Sequence, residues 1–84
     1  MKIKVLGLGC MNCKTLEQRT REAIEALHVD VSVEKVEDYQ EIASYGIMRT
    51  PGLVIDERVV LSGSVPKVED LKKLLLLHGA VPRV

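Results

Sequence analysis

Cys10 and Cys13 are the two cysteines of this chain, three positions apart in the run Cys10-Met11-Asn12-Cys13. At that spacing two sulfurs can cycle between dithiol and disulfide, or grip a soft metal ion. The pair follows a short apolar run and precedes a helical pattern, which sets the first sulfur at a helix N-terminus. Unpaired backbone N–H groups and the helix dipole favour an anion there. Cys10 is therefore drawn toward the thiolate, the form that attacks disulfides. Cys13, one turn inside the helix, is expected to be the more buried and to resolve a mixed disulfide.

The elements that must position these sulfurs are legible as periodicities. Lys2-Ile3-Lys4-Val5-Leu6 alternates and predicts a first strand. Gly7-Leu8-Gly9 is a loop whose glycines allow a sharp turn and a close approach. Leu16, Thr20, Ala23, Ile24 and Leu27 recur at helical spacing and predict a helix from about Cys13 to Leu27, capped by Asn12 or Cys10. Val31–Val36 predicts a second strand, and Tyr39–Tyr45 a short helix ended by Gly46 in a left-handed cap. Leu53–Ile55 and Val59–Leu61 predict a hairpin turning at Asp56-Glu57-Arg58, without the glycine that favours such turns. Pro66 suits the first turn of a third helix that runs to about His78 and stops at Gly79. Of its leucines, Leu71, Leu74 and Leu75 form an inward stripe, which leaves Leu76 or Leu77 outside.

The order β-α-β-α-β-β-α predicts an α/β domain with a four-stranded mixed sheet and helices on both faces. It spans residues 1–79, with 80–84 a loose tail. The 84 residues suffice for one such domain. Lys plus Arg and Asp plus Glu are equal at 12 each, which argues against a nucleic-acid partner, since phosphates demand a basic surplus. Tyr39 and Tyr45 are the only aromatic residues, too few for a base-stacking platform. The opening residues, interrupted by Lys2 and Lys4, do not read as a secretion signal, and Leu74–Leu77 is far short of a membrane span. A cytoplasmic setting follows as the expectation, where a Cys-x-x-Cys pair is redox-active or metal-binding rather than structural.

A second segment sharpens the choice. Tyr45-Gly46-Ile47-Met48-Arg49-Thr50-Pro51-Gly52-Leu53-Val54-Ile55 resembles the thioredoxin family, in which a Tyr-Gly-Ile stretch leads to a cis-proline and a buried strand. Gly63 after the last strand, Lys14 after the second cysteine and the Gly-x-Gly-Cys-x-x-Cys opening extend the likeness. They resemble the very small thioredoxin- and glutaredoxin-like proteins of archaea and bacteria. The resemblance covers the whole chain pattern and implies a minimal thioredoxin-like fold and thiol–disulfide exchange. Cys10 and Cys13 would be catalytic. Thr50-Pro51 would be a cis bond whose Thr50 backbone meets a bound chain, and Gly9, Met11 and Arg49, with Leu8, would shape the docking surface. The partners implied are disulfide-containing proteins and an NAD(P)H-dependent flavin reductase as electron donor. The protein itself would be monomeric and need no bound cofactor.

The chain departs from the family's pattern. Thioredoxins place Trp before the first cysteine and Gly-Pro between the two; here Gly9 precedes and Met11-Asn12 intervenes. Thioredoxins also hold a buried acid six residues before the first cysteine, where this chain has Lys4, expected to be solvated on a strand edge. Glutaredoxins bind glutathione beside Val-Pro and Gly-Gly-x-Asp elements, to which Thr50-Pro51 and Ser62-Gly63-Ser64 are an incomplete match. The rival is a Cu(I) or Zn(II) carrier, because the opening also looks like heavy-metal-associated domains. Those follow a β-α-β-β-α-β order and end on a strand. His28 is roughly 22 Å along the helix from Cys13 and cannot join it, and His78 is expected at the surface.

Overall fold

The computed structural model describes residues 1–9 and 11–81. Its elements are β1 (Lys2–Leu6), α1 (Met11–Leu27), β2 (Ser32–Val36), α2 (Tyr39–Ser44), β3 (Gly52–Ile55), β4 (Arg58–Ser62) and α3 (Val68–Leu77). The strands form one sheet in the order β2-β1-β3-β4. β1 runs parallel to β2 and antiparallel to β3, and β3 pairs antiparallel with β4. This is the mixed α/β architecture expected from the sequence.

Alternation along the strands divides the apolar side chains between two cores. Ile3, Val5, Leu53 and Ile55 point to one face and pack with Leu16 and Ala23 of α1 and Leu71 and Leu75 of α3. Leu6, Val36 and Val54 point the other way and pack with Ile42 of α2, flanked by Tyr45 and Ile47. Two helices thus cover one face and a single six-residue helix the other. In the leucine run, Leu71 and Leu75 are buried, Leu74 is half-buried, and Leu76 and Leu77 are exposed.

Several local expectations are corrected. α1 begins at Met11, so Asn12 is its second residue rather than its cap; the other candidate cap, Cys10, lies outside the described residues. α3 begins at Val68 with Lys67 as N-cap, so Pro66 lies before the helix and not in its first turn. The hairpin turns on two residues, Asp56 and Glu57, both with left-handed φ (48° and 68°). That is the geometry whose twist matches the strands, adopted here without glycine. Asp56 Oδ1 accepts the N–H of Lys2 at 2.9 Å, which ties the turn to the start of β1. Of the segment expected to hang loose, Ala80 is buried in the larger core and its N–H bonds to Leu75 O at 2.9 Å. Residues 82–84 lie outside the described residues.

Helix ends follow the chain's own chemistry. Asp38 caps α2 by accepting the N–H groups of Gln40 and Glu41. Gly46 and Gly79 take positive φ after α2 and α3 (75° and 99°). α1 ends in the same way on a histidine. His28 has φ 53°, its N–H meets Glu25 O, and the Val29 N–H reaches back to Ile24 O. These paired bonds form a Schellman motif, whose left-handed position glycine fills at least cost.

Candidate active site

The site is built at the end of the sheet where β1 finishes and β3 begins. Gly7 continues β1 by one step, its N–H donating to Val36 O at 3.0 Å. The chain then turns through Leu8 and Gly9, the latter at φ 85°, and enters α1 at Met11. Cys10 lies outside the described residues. Cys13 is the third residue of α1 and falls on its inward stripe with Leu16, Thr20 and Ala23. It is buried at 6 % exposure, as expected for the second sulfur.

Gly7 is what lets Cys13 sit there. A Cβ built on Gly7 would run into Cys13 Sγ and come within 2.9 Å of Cys13 Cβ. The sulfur occupies the space that any other residue's side chain would need. Across the sheet, Leu6 pairs with Gly52, and one further step of that register sets Pro51 opposite Gly7. The Thr50–Pro51 peptide is cis. Pro51 is buried and Thr50 exposed. Gly63, at φ 74°, donates its N–H to Pro51 O at 2.8 Å, so the end of β4 holds the prolyl segment from its other side. The Cys13 sulfur and the Thr50–Pro51 segment therefore share one end of the sheet.

Beside that end lies a groove of about 290 Å³, walled by Leu8, Tyr39, Ile42, Ile47 and Met48 and continued by Arg49 and Thr50. Of the residues expected to shape a docking surface, Leu8, Arg49 and Thr50 line this groove, while Gly9 and Met11 do not. Met11 stands at the helix start, 77 % exposed, and Met48 is 97 % exposed. Nothing in the sequence marks Tyr39 and Ile47 as groove residues, although Ile47 belongs to the Tyr-Gly-Ile stretch. Ile47 packs against bare backbone, since a Cβ on Gly52 would lie 2.8 Å from Ile47 Cδ1.

Lys4 is not the solvated edge lysine expected. β1 is an interior strand, and the Lys4 side chain is only 13 % exposed. Its ammonium donates to the Tyr45 hydroxyl at 2.8 Å and pairs with Glu57 Oε1 at 3.1 Å, and the Tyr45 hydroxyl donates to Glu57 Oε2 at 3.0 Å. The bond to Tyr45 and then that to Glu57 push the Lys4 pKa above its ordinary value. The Lys4 ammonium, followed by the Tyr45 hydroxyl, holds the Glu57 carboxyl below its own. Because Glu57 sits in the hairpin at the start of β1, this charge is drawn away from the thiol end of the strand. Nothing in the sequence marks these three residues as partners, because Lys4 lies 41 positions from Tyr45 and Glu57 a further 12 beyond it.

Among the described residues no three His, Cys, Asp or Glu side chains gather as a metal would need, and no helix is long and apolar enough to cross a membrane. A larger hollow, about 580 Å³, lies between the last turns of α1 and the β2 side at Val31 and Val33. It is at the far end of α1 from Cys13.

A family model described as "Thioredoxin domain" matches residues 1–76. A protein named "Thioredoxin" from Methanothermobacter thermautotrophicus is 39 % identical over 75 residues, covering 89 % of this chain and 97 % of its own. A second "Thioredoxin", from Methanocaldococcus jannaschii, is 36 % identical over 73 residues, covering 87 % of this chain and 84 % of its own.

Proposed function

This chain belongs to the thioredoxin domain family and is a thiol–disulfide oxidoreductase; from that premise we propose that Cys10 and Cys13 are its working couple. The Cys10 thiolate attacks one sulfur of a substrate disulfide. A Cys10–substrate bond forms and the other substrate sulfur leaves as thiolate. Cys13 then gives up its proton and attacks Cys10 Sγ, the mixed disulfide breaks, and the second substrate sulfur is released. The substrate gains two electrons and two protons, and the Cys10–Cys13 disulfide remains.

The observation that carries this reading is the seat of Cys13, buried in the first turn of α1 against the backbone of Gly7 and three residues from its partner. A resolving sulfur needs that protection from outside disulfides together with nearness to the nucleophile. Thr50 and Pro51 present the substrate chain by strand addition, and Gly9, Met11 and Arg49 shape the surface around it. The substrates are protein disulfides. A flavin reductase drawing on NAD(P)H restores the dithiol, and the protein acts as a monomer in the cytoplasm without a bound cofactor.

The test is disulfide reduction of insulin with dithiothreitol as the terminal reductant. Cys10→Ser should abolish turnover and leave the fold intact by circular dichroism. Cys13→Ser should accumulate a mixed disulfide visible by mass spectrometry. Full turnover by Cys10→Ser, or one Cu(I) or Zn(II) bound per chain with no turnover in the wild type, overturns the proposal.

A further inference from the structure

We infer that Arg49 is a specificity-determining residue, selecting polypeptide disulfides that carry an acidic side chain about two residues from the attacked cysteine. This rests on the thiol–disulfide reading and adds a substrate class to it. The groove beside Thr50 is apolar along Leu8, Ile42, Ile47 and Met48, and among its described lining residues Arg49 brings the single formal charge. No acidic side chain among them answers it. Arg49 has no hydrogen bond or ion pair with any described residue; Lys14, Arg58, Lys67 and Lys73 are alike in this, but none of them lines the groove. The nearby acid on the opposite side of the thiol loop, Glu37 under Gly9, has its charge met by Lys35 at 4.0 Å.

The guanidinium is also partly pre-placed. A Cβ built on Gly63 would lie 3.0 Å from both Cβ and Cδ of Arg49, so the arginine stem runs along the bare backbone of Gly63. Laying the aliphatic stem on a surface leaves the head free to pair and lessens the rotamer freedom lost when it does. A substrate strand added at Thr50 runs past the adjacent residue, Arg49, which lines the same groove. The occupant that fits is an extended segment with an apolar residue for the groove and a carboxylate for Arg49.

The test uses three peptides with one disulfide each, identical except for Glu, Gln or Lys two residues from the cysteine and a leucine on its other side. For the wild type kcat/KM should fall in the order Glu, Gln, Lys. The Glu-to-Lys ratio should be roughly three- to five-fold at low salt and shrink as salt screens the pair. Arg49→Lys should keep the order and Arg49→Glu should reverse it. Equal rates for all three peptides overturn the assignment of Arg49 while the reduction itself still supports exchange. No reduction of any peptide by the wild type overturns the underlying exchange reading. A preference seen only between glutathione disulfide and its diethyl ester, and not among the peptides, moves the carboxylate to a small thiol and also overturns the proposal.

Discussion

Replacing Gly7 by alanine asks one methyl group to occupy the place of the Cys13 sulfur. Gly7 does not adopt a left-handed φ, so the backbone accepts alanine and the penalty is steric alone. The new Cβ meets two atoms, Cys13 Sγ in direct overlap and Cys13 Cβ at 2.9 Å, against an optimum separation of about 3.5–4.0 Å. The sulfur is only one bond beyond Cβ, and Cβ itself is fixed to the helix backbone. Relief requires either a new Cys13 rotamer inside a buried stripe or a shift of α1 away from β1. Overpacking of this kind costs about 2–3 kcal/mol, a large share of the roughly 5–10 kcal/mol expected for a domain of this size. The corresponding fall in Tm is roughly 10–20 °C. Thermal unfolding of the reduced protein, followed by circular dichroism, reads it directly. The double variant Gly7→Ala/Cys13→Ala removes the overlapping sulfur and should recover at least half of the Gly7→Ala penalty, a coupling of about 1–2 kcal/mol. A Gly7→Ala variant that melts within about 2 °C of wild type, or a strictly additive double variant, would refute the seat described for Cys13.

Two further substitutions test the frame around the site. Glu57 has its folded pKa depressed, so its contribution to stability is present above the unfolded carboxylate value of about 4.3 and is lost as pH falls through the folded value. The Tm difference between wild type and Glu57→Gln should therefore be larger at pH 7 than at pH 3 and shrink with added salt; a difference constant across that range contradicts the pairing with Lys4. His28→Gly replaces the one non-glycine residue in a left-handed helix cap, where α3 already uses Gly79. It should stabilise by about 0.5–1 kcal/mol after allowance for the freer unfolded chain. Urea denaturation showing no gain would count against the Schellman geometry.

The sequence carried the frame because local patterns carry it. Alternation marks β1 to the residue and helical spacing marks α1, while β3 is legible as a short unbroken apolar run. Boundaries slipped where capping depended on three-dimensional partners, as at Met11 and Pro66. Cys10-Met11-Asn12-Cys13 and Thr50-Pro51 were legible as spacing and resemblance. The groove was not, because Leu8, Tyr39 and Ile47 are brought together only by folding. Lys4 was misjudged for the same reason. Its strand looked like an edge until β3 paired on its other side, and its partners Tyr45 and Glu57 leave no mark near it in the chain. The close approach expected of the loop glycines is found at Gly7, but that Cys13 is the neighbour it admits is visible only in the fold.

The unequal covering of the sheet has a dynamic consequence. Among the described residues, four buried side chains hold the face under α2 and ten the other, so the α2 layer is the weaker cooperative unit. Amide protons of α2 should exchange with deuterium through local opening, well before those of β1 and α1. The wall of the groove that α2 supplies can then yield to substrates of differing shape, while the layer bearing Cys13 stays fixed.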